Sequence, residues 1–162
     1  MLYCDAYHLD GLRRLLASYQ ISITEVAEDA VIPGSFWGDS EAGVIGAMLY
    51  VRSDTPVHSA LHEACHIICM DEARRAQLHT DAGGDDLEEA AVCLLQILLA
   101  DQLPGVGQAA IMADMDAWGY SFRLGSTQAW LEHDSADAWA WLRSQHLINA
   151  AGQPQPRPKQ PE

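Results

Sequence analysis

Five consecutive residues, His62-Glu63-Ala64-Cys65-His66, hold the most chemically specific pattern in this chain. Histidines four apart lie one turn apart on the same helical face, so both imidazoles can reach one metal ion. A glutamate beside the first of them can hold a water molecule at that metal and take its proton. The pattern therefore implies a zinc-dependent hydrolase site, with His62 and His66 as metal ligands and Glu63 as general base.

The surrounding residues predict a helix under the motif. Thr55-Pro56 reads as a hydroxyl N-cap followed by proline at the first helical position. Val57, Leu61, Ala64 and Ile68 recur at helical spacing and supply a core-facing stripe. His58 lies one turn before His62, but three ligands on one straight helix rarely close a tetrahedron, so it reads as a surface residue or as support for a ligand. Cys65 and Cys69 are also one turn apart, which is poor disulfide geometry. Together with Cys4 and Cys93 they read as small buried apolar groups in a reducing cytoplasm.

Other elements follow from periodicity and punctuation. Asp10 to Gln20 carries Leu12, Leu15, Leu16 and Tyr19 at helical spacing, with Asp10 as a candidate cap. Ile21 to Val26 alternates as a half-buried strand does, and Val44-Ile45-Gly46 and Met48 to Val51 suggest further strands. Pro33-Gly34-Ser35 and Gly38-Asp39-Ser40 are turn-forming clusters. A polar loop from Leu78 to Asp86 leads into a helix over Leu87 to Ala100, which stops before Pro104-Gly105. Helices are also expected over Ala109 to Trp118 and Ser126 to His146, the latter broken near Asp134, with Ser126 and Ser135 as caps. Trp118, Trp130, Trp139 and Trp141 would pack this C-terminal part onto the body. The layout is α+β, a small antiparallel sheet leading into a helical metal-binding core with additional C-terminal helices. Residues 1–150 read as one domain. From Ala151 the composition turns to Gly, Gln, Pro, Arg and Lys, as in a disordered tail over 151–162.

Composition narrows the partners. The chain has 162 residues, 49% hydrophobic and 20% charged, which suits an ordinary globular domain. Its net charge of −14 argues against direct contact with nucleic acid or an anionic membrane, both of which call for clustered Lys and Arg. Residues Ala90 to Ala100 are the most apolar stretch, too short to span a bilayer and interrupted by Gln96. The first residues lack the basic and apolar regions of a signal peptide, which points to the cytoplasm. The pattern leaves the oligomeric state open.

A catalytic zinc site needs a third protein ligand, and Glu88-Glu89 opens the next helix. Acidic residues there are also favoured by the helix dipole and by capping. With Ala91 and Leu98-Leu99 downstream, the arrangement over about residues 43–101 resembles the gluzincin metallopeptidases of the ImmA/IrrE family. The resemblance implies a zincin-like fold, with His62, His66 and Glu88 holding Zn2+ and Glu63 as base. Glu89 is the alternative ligand. Two positions depart from the family pattern: Val92 stands where Asn or Asp is usual, and Ala100-Asp101 replaces Met-Pro. The implied substrate is a peptide bond in a partner protein, often a transcriptional repressor in that family. His79, Tyr120 and Arg123 are the donors available to stabilise a developing oxyanion. The rival reading is a non-enzymatic zinc-binding regulatory module, marked by Cys69 or His79 as a fourth ligand.

Overall fold

The computed structural model describes residues 1–35 and 40–158. Along the chain these run α1 (Ala6–Ala17), β1 (Ser22–Glu25), β2 (Gly43–Ile45), β3 (Met48–Val51), α2 (Val57–Cys69), α3 (Glu72–Gln77), α4 (Asp86–Ala100), α5 (Gly107–Trp118), α6 (Thr127–His133) and α7 (Ala136–Ser144). The class is α+β. Gly38-Asp39 of the second turn cluster and residues 159–162 of the expected tail lie outside the described residues.

The sheet is mixed rather than antiparallel, with strand order β1-β3-β2. A glycine turn at Gly46, with φ +60, folds β2 back on β3 as a hairpin. The long connection from β1 delivers β2 to the far edge, so β3 returns between them, parallel to β1, with Ile23 opposite Leu49. The outer edge of β2 is partly covered by the segment after α3, where Thr80 N–H donates to Val44 O at 2.9 Å.

Helix α2 forms where its apolar stripe predicts, and Val57, Leu61, Ala64 and Ile68 are all buried. Its start differs by one residue. Pro56 takes the cap position, and the Thr55 hydroxyl instead accepts from Arg52 N–H at 2.9 Å. Part of the capping comes from the chain's beginning: Val57 N–H donates to Leu2 O and Cys4 N–H to Thr55 O, both at 2.8 Å. Helix α1 likewise starts earlier than expected, because Asp5 rather than Asp10 accepts from the backbone N–H of His8. Asp10 pairs on the surface with Arg14.

Helix α4 packs on α2, α5 and α7, and so forms the hub of the helical layer. Asp85 caps it by accepting from Glu88 N–H at 2.8 Å. In the C-terminal part, Ser126 caps α6 as expected, whereas the Ser135 hydroxyl donates to Leu131 O and does not cap α7. Trp130 is buried, but Trp118 remains 47% exposed, lying against the site rather than in the core. Residues 151–158, expected to be disordered, make specific hydrogen bonds: Gln155 N–H donates to Leu147 O, and Arg157 donates to Gln145 Oε1 and Cys69 O. All four cysteines are buried and free. Among the described residues, no helix is long and apolar enough to cross a membrane.

Helix α3 has no counterpart in the sequence reading, and it matters for the site. From it, Arg74 grips the Glu88 carboxylate with two bonds of 2.7 and 3.2 Å and also donates to Ala82 O. Gly84, at φ +95, leaves the space in which that carboxylate sits, since a Cβ there would collide with Glu88 Oε2. Replacing Arg74 with methionine would leave a buried carboxylate without its partner. Thermal unfolding of the metal-free R74M variant should therefore report a loss of about 1–3 kcal/mol. An unchanged melting temperature would contradict the clamp.

Candidate metal centre

The side chains that meet at one point come from α2 and α4. On α2, Nε2 of His62 and Nε2 of His66 are 3.2 Å apart, as their one-turn spacing requires. On α4, the Glu89 carboxylate faces both, with Oε1 3.1 Å from His62 Nε2 and Oε2 3.0 Å from His66 Nε2. The donor atoms of these three residues all lie within 4.8 Å of one another.

The expected third residue is Glu88 with Glu89 as the alternative, and the carboxylate that meets the two histidines is that of Glu89. Successive residues of a helix point about 100° apart, so only one of two adjacent glutamates can face α2. Glu89 lies seven residues before Gln96, on the face that packs against the histidines, whereas Glu88 turns toward α3 and is held by Arg74. Periodicity counted back from Gln96 identifies the facing glutamate; the resemblance picks its neighbour.

Packing around the group fixes the rings. Gln96, fully buried, places Oε1 3.0 Å from Nδ1 of His62 and donates from Nε2 to His58 O at 2.9 Å. Tyr120 closes the same side: its hydroxyl lies 3.2 Å from His58 Nδ1 and 3.4 Å from Gln96 Nε2, and its ring packs edge-on against His62. His58 is therefore a supporting residue, wedged between Trp118 and Tyr120. Glu63 is half-buried beside His62. The remaining candidates are elsewhere: His79 is exposed and bonded to Thr80 Oγ1, and Arg123 is paired with Asp134.

Charge states follow from these surroundings. Burial pushes His58 down to about 4, so it is neutral near pH 7. Burial raises the Glu63 carboxyl above its ordinary range, against the pull of His62 and His66. For Glu89, burial acts upward but hydrogen bonds from His62 and His66 prevail and hold it well below the usual carboxylate range. Burial disfavours a charged His62, yet Tyr120, the Cys93 thiol and Glu89 together hold it well above the usual histidine range.

A consequence can be measured. A metal must displace the proton that His62 carries, so loading zinc near pH 7 should release about one proton or more per site. Affinity should fall as pH is lowered through the raised His62 value, because protonated imidazole cannot ligate. Calorimetric titrations in buffers of different ionisation enthalpy read this directly. Uptake with no proton release would contradict the assigned charge states.

The donor set fits a zinc ion. Ligand atoms 2.0–2.2 Å from a tetrahedral zinc stand about 3.3–3.5 Å from one another, and one donor atom from each of the three residues lies within 4.8 Å of the others. Two imidazole nitrogens and a carboxylate are donors that zinc accepts, and three protein ligands leave one position open. Glu89 is 50% exposed, so the group is accessible from its side. Among the described residues, no other His, Cys, Asp or Glu, including Cys69 and His79, joins the group. No family model, no curated protein and no solved structure matches this chain.

Proposed function

We propose that this chain is a zinc-dependent metallopeptidase of the gluzincin type, with the metal held by His62, His66 and Glu89. The observation that carries the reading is the convergence of three donor atoms from two packed helices, beside a half-buried glutamate next to a ligand. Bound there, zinc would supply Lewis acidity that polarises a carbonyl and makes water more acidic. The chain's own part is proton transfer and positioning. Glu63, next to His62 in sequence but outside the ligand group, accepts the proton of the attacking water and returns it to the leaving amine. Tyr120 and Gln96 hold the rings of His58 and His62 in place, and the buried face of α4 keeps Glu89 in register.

By its resemblance to the ImmA/IrrE family, the substrate is a peptide bond in a partner protein, reached without direct contact between this chain and nucleic acid. The rival reading, a non-enzymatic zinc module, gains least from a group that Cys69 and His79 do not join. The test begins with partners captured on Glu63→Gln protein and then incubated with zinc-replete wild type. A discrete cleavage supports the proposal. Partners that stay intact under the wild type favour the binding module.

A further inference from the structure

Gln96 interrupts the most apolar run in the chain and is 0% exposed. A buried amide is costly unless its polar atoms are bonded, and leucine would fill such a helical position at lower cost. Its bonds suggest why it is there. The carbonyl oxygen of His58 can only accept, so the amide nitrogen of Gln96 must face it, at 2.9 Å. That fixes the orientation of the amide and leaves Oε1, an acceptor, facing Nδ1 of His62 at 3.0 Å. Nδ1 must then carry a proton. Nε2, which faces His66 and Glu89, is then the nitrogen left to take a metal in place of its own proton.

We propose that Gln96 is the positioning residue of the metal centre: it sets the tautomer and ring orientation of His62 and so prepares Nε2 for the metal. This rests on the reading of His62, His66 and Glu89 as ligands. Helix α4 then has two roles on one face, since Glu89 and Gln96 are seven residues, or two turns, apart. The first supplies a ligand and the second orients the ligand opposite. The chain from the His58 carbonyl through the Gln96 amide to His62 also ties ring orientation to the backbone of α2 itself.

The test compares zinc affinity in the full-length wild type, Gln96→Leu and Gln96→Glu, each checked for folding by circular dichroism. Leucine removes the acceptor, whereas glutamate keeps an acceptor for Nδ1–H while losing the donor to His58 O. Gln96→Leu should bind zinc about 10–100-fold more weakly, the usual cost of losing such a partner. Gln96→Glu should recover most of that affinity. Packing alone predicts no such rescue. A second readout is the ring proton itself: zinc-loaded wild type should show a slowly exchanging Nδ1–H signal from His62, which speeds up or vanishes in Gln96→Leu. Wild-type affinity in folded Gln96→Leu, or metal on Nδ1, overturns the inference and leaves the ligand assignment standing. No zinc uptake by the wild type overturns both.

Discussion

Glu89→Ala is expected to strip the site of most of its affinity for zinc, while Glu88→Ala leaves it within a few-fold of wild type. The two residues are adjacent in sequence and similar in chemistry, so the contrast tests placement alone. Glu89 offers both carboxylate oxygens to the histidine pair, at 3.1 and 3.0 Å. Removing it leaves only two protein ligands, and the loss should exceed the roughly 10–100-fold that follows loss of a supporting partner. Glu88 is buried against Arg74 and Gly84, so its removal should appear in stability and hardly in affinity. Competition with a chromophoric chelator measures both variants. Equal losses in the two would mean that the helix register described here does not govern the metal.

The second large effect concerns Glu63. Glu63→Gln preserves size and hydrogen-bonding capacity but cannot take a proton. Zinc content should stay near wild type, because Glu63 is not among the converging donors. Turnover of a captured partner should fall by about 10²–10⁴-fold, the usual contribution of a positioned acid–base group. Burial holds the Glu63 carboxyl above its ordinary range, which makes it a stronger proton acceptor than an exposed glutamate. Cleavage by Glu63→Gln at the wild-type rate would rule out the proton carrier proposed here. Loss of both zinc and activity would instead make Glu63 part of the metal's support.

The parts of the molecule legible from sequence were those governed by local periodicity. The spacing of Val57, Leu61, Ala64 and Ile68 places α2 in the core, and the His62–His66 spacing suffices to bring two imidazole nitrogens together. The apolar run before Pro104 likewise marks α4. What local pattern could not supply was the angular phase of one helix against another. Whether Glu88 or Glu89 faces α2 depends on how α4 rolls, and that roll is set by tertiary contacts: Arg74 on one face and Gln96 on the other. Strand direction was hidden for a related reason. The parallel pairing of β1 with β3 depends on the path of the chain between β1 and β2, which lies outside strand alternation. Gln96 did leave a trace, as a polar residue interrupting an apolar helix, and such interruptions beside a metal motif are worth reading as support for a ligand.

The central claim, one zinc held by His62, His66 and Glu89, is tested most directly by metal content together with X-ray absorption at the zinc edge. Protein stripped by chelation, given one equivalent of zinc and desalted, should retain about one ion per chain, with a first shell of two imidazoles and light N/O donors at about 2.0–2.2 Å. The His62→Ala, His66→Ala double variant, treated identically, should retain none. Full occupancy in that variant, sulfur in the wild-type first shell, or a wild type that takes up no zinc would contradict the account.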